Sequence, residues 1–162
     1  MARHPSPFDM TRDEWALLLT QAASWARGES QDPRTQTAAV LLNDAGFELA
    51  RAANRAVAPA LLSGRPERLE SPEKYFWIEH SERAALQAAA RAGQSTQGLA
   101  MGCTLFPCVD CARAIAGCGI RLLASPAPDF DYPRWGAEFR RAQETLEAGG
   151  VRLVLIDPGS VA

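Results

Sequence analysis

Hydrophobic positions along this chain recur at two intervals, and stretches of each kind alternate. After Thr11-Arg12-Asp13-Glu14, the residues Trp15, Leu18, Leu19, Ala22 and Ala26 follow a helical spacing and predict a first helix ending near Gly28. The four residues from Thr11 form a capping box, in which a hydroxyl and a glutamate three positions later satisfy free N–H groups at a helix start. Residues 29–35 are polar and predict a loop. Residues 37–42 read as a buried strand. Asn43-Asp44-Ala45-Gly46 then supplies turn chemistry before a second strand at 47–54, which predicts a β-hairpin. Residues 55–78, broken by Pro59, Gly64, Pro66 and Pro72, predict a long loop holding at most short helical pieces.

Farther along, residues 79–91 are rich in alanine and predict a helix that stops at Gly93. Residues 101–106 form a short apolar strand. Pro107 suits the first turn of the next helix, which ends around Gly117-Cys118-Gly119. A fourth strand is predicted at 120–124, a fourth helix at 135–148 and a fifth strand at 151–156. Strands alternating with helices after an opening hairpin imply an α/β protein in three α/β/α layers. Its five-stranded mixed sheet carries helices on both faces. No internal repeat or composition break divides the chain. The expectation is one domain over residues 1–162, with 1–8 as a flexible tail.

Composition narrows the partners. Apolar residues at 47% and charged residues at 22% describe an ordinary globular protein. Seventeen basic against nineteen acidic side chains give a net charge of −2. That leaves no broad basic surface, which weighs against a polynucleotide partner, although a local patch can still handle one phosphate. Residues 1–7 lack the apolar core of a signal peptide, and no stretch is long and apolar enough to span a membrane. Four cysteines do not make a disulfide scaffold. The expected setting is cytoplasmic, with thiols free to bind metal and no membrane association.

Two short motifs carry the chemistry, His80-Ser81-Glu82 and Pro107-Cys108-Val109-Asp110-Cys111. The imidazole of His80 and the sulfurs of Cys108 and Cys111 make a three-ligand zinc set. Hydrolytic sites keep the fourth tetrahedral position open for water in this way. Glu82 is left over as a ligand and is placed to take a proton from that water and deliver it to a leaving group. Cys108 and Cys111 lie one helical turn apart, and a helix start favours the thiolates that zinc requires. Each half alone has a plain reading: a C-x-x-C can be a redox pair or half of a structural zinc site, and His-x-Glu recurs by chance. Together, and with Pro107 before the first cysteine, they match H-x-E…P-C-x-x-C, the signature of zinc nucleobase deaminases.

Other candidates read as structural. Cys103, in a predicted strand, and Cys118, at a helix end, are packing cysteines, and His4 is an inert residue of the tail. The tryptophans at 15, 25, 77 and 135 are core by default. Trp77 is also a candidate stacking platform, because Tyr75-Phe76-Trp77-Ile78 runs into His80.

The stretch Ser30-Gln31-Asp32-Pro33-Arg34-Thr35-Gln36-Thr37-Ala38-Ala39-Val40 resembles the S-K-D-P-x-x-x-V-G-A segment of deoxycytidylate (dCMP) deaminases. Lys74-Tyr75 through His80-Ser81-Glu82 resembles their run into the zinc histidine, and Glu147 through Val151 their closing helix-to-strand turn. The resemblance covers residues 10–157. It implies the cytidine-deaminase fold and a homo-oligomer with sites near subunit interfaces. It also implies that Asn54 hydrogen-bonds the sugar and that backbone near Ser81 reads the pyrimidine edge. The long 55–78 loop favours this family over the tRNA adenosine deaminases, although Asn54-Arg55 resembles a pair found in the latter.

Departures from the pattern are specific. The family's G-Y-N-G is Ala52-Ala53-Asn54-Arg55, which casts doubt on nucleotide triphosphate regulation. The alanine between zinc histidine and glutamate is Ser81, and a frequent asparagine two residues past the glutamate is Ala84. Gln31 replaces the lysine of S-K-D, removing a charge suited to a 5′-phosphate, for which Arg34, Arg55, Arg65 and Arg68 are candidate substitutes. The expected reaction is zinc-dependent hydrolytic deamination of a free pyrimidine nucleotide, dCMP to dUMP plus ammonia. Alternative substrates are a nucleoside, a free base such as cytosine or guanine, or another aminated heterocycle. A tRNA adenosine deaminase and a non-catalytic zinc module are the competing readings.

Overall fold

A computed structural model describes residues 5–161. Helix α1, Arg12–Glu29, starts with the capping box formed: Thr11 Oγ1 accepts from the Glu14 N–H at 3.2 Å and the Glu14 carboxylate accepts from the Thr11 N–H at 2.8 Å. Strands β1, Ala38–Leu42, and β2, Glu48–Ala53, pair antiparallel as a hairpin. Asn43 Oδ1 holds its turn by accepting from the N–H groups of Ala45 and Phe47, and Gly46 takes a positive φ of 77° there.

Strand β3 is Arg55–Ala56, α2 is the single turn Lys74–Trp77, and β4 is Ile78–Glu79. Next come α3 at Ser81–Arg91, β5 at Ala100–Cys103, α4 at Val109–Gly117, β6 at Leu122–Pro126, α5 at Gly136–Ala148 and β7 at Arg152–Ile156. The main sheet runs β2-β1-β5-β6-β7. The β1–β2 and β1–β5 pairs are antiparallel, whereas β5–β6 and β6–β7 are parallel. This is the expected five-stranded mixed sheet.

Strand alternation sorts the core between two faces. Ala39, Leu41, Met101, Cys103 and Leu123 pack with Ala85 and Ala89 of α3, Ile115 of α4 and Leu146 of α5. Leu42, Ala100, Leu122 and Ala124 point the other way, onto Trp15 and Leu19 of α1. The sheet is thus sandwiched, one helix against three, as the alternating pattern implied. No helix among the described residues is long and apolar enough to cross a membrane.

Five local expectations change. The 55–78 segment is clasped at its base by β3 and β4, with Arg55 opposite Glu79 and Ala56 opposite Ile78, and it carries short 3-10 turns at Pro59–Leu61 and Pro66–Leu69. That pairing removes Glu79 from the helix that follows, so His80 becomes the N-cap of α3 and not a residue inside it. Pro107 likewise precedes α4, whose N-cap is Cys108. The tail expected at 1–8 is anchored in its described part. Pro7 is buried, and Phe8 packs on the α1-side core beneath the guanidinium groups of Arg121 and Arg152. Residues 1–4, His4 among them, lie outside the described residues. Cys118 is exposed rather than packed, because Ile115 and Ile120 fill the core at that helix end.

Candidate active site

Two helix starts meet in space. His80 caps α3 and Cys108 caps α4, while Cys111 lies one turn into α4. His80 Nδ1 is 3.5 Å from Cys108 Sγ and 3.5 Å from Cys111 Sγ, and the three ligand atoms all lie within 4.8 Å of one another. Zinc lengths of roughly 2.3 Å to sulfur and 2.0–2.1 Å to nitrogen, at tetrahedral angles, place N and S about 3.5–3.6 Å apart. The nitrogen therefore stands at the separation from each sulfur that a tetrahedral zinc centre needs, with nitrogen and sulfur chemistry to match. They are positioned to bind that metal.

The two sulfurs are coupled to each other. The Cys111 thiol hydrogen-bonds to Cys108, and His80 adds a second favourable contact, so Cys108 is pulled down to about 4 while the same bond holds Cys111 up. Arg83, which the motif did not single out, brings Nη1 to 3.8 Å from Cys111 Sγ and sets a cation beside the paired sulfurs. Arg83 also pairs with Glu79, and Gln87 Nε2 donates to the same carboxylate at 3.0 Å. Glu79 Oε1 in turn accepts from the His80 backbone N–H at 3.0 Å, which fixes the ligand's main chain. Positions 79, 83 and 87 lie at i, i+4 and i+8, a helical spacing that could have disclosed this network.

Glu82 sits two residues into the same helix turn as His80. It is almost fully buried and accepts from Ser81 Oγ at 3.0 Å. Burial raises its carboxyl above the usual range, against the opposing pull of His80 and the Ser81 bond. Ser81 is itself buried, with its hydroxyl committed to Glu82.

Glu82, His80 and Cys108 line one cavity of about 160 Å³. Its apolar walls come from Ile78, Leu105, Phe106, Phe139, Tyr75 and Trp135. Phe106 and Phe139 meet edge-to-face with centroids 5.7 Å apart. Trp135, expected in the core, is a wall residue here because it caps α5, whose first turns face the cavity through Trp135 and Phe139. Trp77 does not reach the cavity. It lies under Arg68, 3.9 Å from guanidinium carbon to ring centroid, and donates to Glu73.

The polar wall is built on Asn54 and Asp32. Asn54 Oδ1 accepts from Ser30 Oγ at 2.7 Å and from the Thr37 N–H at 3.0 Å, while Nδ2 donates to the Thr35 carbonyl at 2.7 Å. The amide pins the 30–37 loop to the end of β2, and one of its N–H groups remains for a ligand. Asp32 and Lys74 form a buried ion pair at 2.7 Å on the same wall. Both residues fall in the stretches quoted for the family resemblance, but their contact spans 42 positions and has no local signal. The arginines expected to meet a phosphate are engaged elsewhere: Arg34 with Glu70 at 2.7 Å, Arg65 near Glu67 at 3.8 Å and Arg68 on Trp77. Arg55 is exposed and lines no part of the cavity.

With this geometry in place, the family model for the cytidine and deoxycytidylate deaminase zinc-binding region matches residues 10–124. The chain belongs to this deaminase family. The match takes in His80, Glu82 and both cysteines, so the zinc site and hydrolytic deamination are properties of the family to which the protein belongs. An uncharacterized deaminase in the luxG 3′ region of Aliivibrio fischeri is 29% identical over 147 residues, covering 86% of this chain and 92% of that protein. A deoxycytidylate deaminase of Enterobacteria phage T4 is 44% identical over 64 residues, 39% of this chain and 33% of the phage protein. Among solved structures, a dCMP deaminase from cyanophage S-TIM5 in complex with dCMP and dUMP aligns with a TM-score of 0.68 at 21% identity, over 91% of this chain and 99% of that one. That structural likeness establishes the cytidine-deaminase fold.

Proposed function

We propose that this deaminase hydrolyses a free pyrimidine nucleotide, with deoxycytidylate its substrate and dUMP and ammonia its products. The observation that carries the reading is the burial of Glu82 in one cavity with His80 and Cys108, under aromatic walls that suit a flat heterocycle. Zinc held by His80, Cys108 and Cys111 supplies the Lewis acidity that makes hydroxide available near neutral pH. Glu82 moves the protons: it takes one from the attacking water and passes it to the ring nitrogen, then takes the second from the hydroxyl now on the ring carbon and gives it to the amine, which leaves as ammonia while the carbonyl forms. Burial, which raises its carboxyl above the usual range, suits a group that must both take up and release a proton.

Asn54 offers its remaining amide N–H to the sugar. The backbone around Ser81, at the first position of α3 where N–H groups have no helical partner, is suited to reading the pyrimidine edge. The relatives support the choice of substrate: the phage T4 protein is a deoxycytidylate deaminase and the cyanophage enzyme is one in complex with dCMP and dUMP. We further infer a homo-oligomer, because Tyr75, Phe76 and Leu105 expose apolar surface around the cavity. The balanced charge supports a small-molecule substrate rather than RNA, and free metal-binding thiols suit the cytoplasm.

Ammonia release from dCMP, deoxycytidine, cytosine and guanine by the zinc-loaded protein tests the reading. Preferred turnover of dCMP is the expected result. Turnover of a free base with none of dCMP overturns the nucleotide assignment.

A further inference from the structure

We propose that Arg134 is the specificity-determining residue that selects phosphorylated substrates, its guanidinium meeting the phosphoryl oxygens at the cavity mouth. The proposal rests on the reading of the substrate as a nucleotide. Arg134 is exposed, but its guanidinium is held in one place. It lies 4.8 Å from the Trp135 ring centroid and 5.1 Å from that of Tyr75, and Nη2 donates to Tyr75 Oη at 2.7 Å. Both rings line the cavity, so the cation stands at the outer edge of the wall they form.

What sets Arg134 apart is that it stacks on two cavity-lining rings and has no counter-ion. Among the described residues no carboxylate lies within 4.0 Å of it, and Tyr75 and Trp135 are its only partners. Lys74, which also lines the cavity, is neutralised by Asp32, and the arginines weighed for a phosphate are engaged away from it, Arg34 with Glu70 and Arg68 with Trp77 and the Leu61 carbonyl. Gln31, which replaces the family's lysine, accepts from the Ala56 N–H at 2.9 Å and is spent on backbone. Asp131, close in sequence, faces Arg140 at 3.7 Å. A guanidinium fork stacked on aromatic faces, with donors to spare and no acid to neutralise it, matches a phosphate in shape and charge. Helix α5 begins two residues later without a side-chain cap, which adds positive potential at the same point.

The test uses ligands that differ only in the phosphate. Calorimetric binding of dUMP and deoxyuridine to the zinc-loaded protein should show dUMP bound about 10- to 100-fold more tightly, the range of a hydrogen bond to a charged group. Arg134→Gln should remove most of that advantage, and Arg134→Lys should keep part of it, because a point charge attracts phosphate without the fork. A wild-type protein with no dUMP advantage, an advantage that persists in Arg134→Gln, or equal weakening of both ligands each overturns the assignment. Ammonia release from dCMP separates the two proposals. An Arg134-dependent dUMP advantage without dCMP turnover sinks the deoxycytidylate reading and leaves Arg134 in its role. Efficient dCMP turnover that is indifferent to Arg134→Gln does the reverse.

Discussion

Lys74 Nζ lies 2.7 Å from Asp32 Oδ2, with both side chains buried and 42 positions of chain between them. This contact fastens the end of the 55–78 segment to the loop ahead of β1, and the cavity wall depends on both. Asp32 is further tied down, since its Oδ1 accepts from the N–H groups of Arg34 and Thr35 at 2.9 and 3.1 Å. Removing the cation alone leaves a buried carboxylate without its partner. Lys74→Met should therefore cost about 3 kcal/mol in urea unfolding. Adding Asp32→Asn should recover much of that loss, because the amide oxygen still accepts the two backbone N–H groups. Losses that simply add in the double variant would show that the pair is not coupled.

The same pair sets a pH dependence. Burial pushes the Asp32 carboxyl up, but the Lys74 ammonium and the two backbone N–H groups outweigh it and hold it below the usual range. A carboxyl depressed in the folded state contributes stability that is fully present above the unfolded value, near 3.9, and fades as pH falls through the folded one. Wild type should exceed Asp32→Asn in stability at pH 7, and the gap should close as pH drops below about 4. A gap that stays constant from pH 7 to pH 3 would rule out this linkage.

Glu82 separates metal binding from catalysis. Its carboxyl belongs to the cavity but not to the His80, Cys108 and Cys111 cluster. Glu82→Gln keeps the size and the Ser81 contact while removing the proton carrier. The variant should hold zinc in wild-type amount by elemental analysis, yet lose turnover by roughly 10²- to 10⁴-fold. Activity within tenfold of wild type would point to a binding module instead.

Cys108 should behave in the opposite way. Cys108→Ala removes one of three ligands and the thiolate of the pair, so bound zinc and activity should fall together. Metal analysis after dialysis against a mild chelator measures the first and ammonia release the second. Retention of stoichiometric zinc would mean that the metal is held elsewhere.

What could be read from the chain follows the range of the interactions involved. The capping box of α1 and the Asn43 turn are closed by neighbours a few residues apart, so their chemistry is written locally. The zinc ligands are distant in sequence, but each half has its own spacing on a helix start, and the two halves together carry the signal. Helix α3 starts at Ser81 and not at 79 because pairing of Glu79 with Arg55 across the 55–78 segment, not helix propensity, decides it. Asp32 meeting Lys74, and Trp135 turning into the cavity, are tertiary events with no periodic trace.

Close packing between α1 and the sheet depends on Gly102 in β5. A Cβ built there would lie 3.0 Å from Trp15 Cζ3 and 3.1 Å from both Leu19 Cδ2 and Val40 Cγ2, and these three side chains are fully buried. None can withdraw without disturbing the core on the α1 face, so Gly102→Ala should destabilise by about 1–3 kcal/mol. For a chain of this length that corresponds to a melting point lower by roughly 2–12 °C. Gly28, near the end of α1, has no atom within 4 Å of the same construction and no positive φ. Gly28→Ala should therefore leave the melting point unchanged or raise it slightly, through better helix propensity and a less flexible unfolded chain. Thermal unfolding of the two variants side by side tests the packing argument, and equal effects would show that α1 has room to shift away from the sheet.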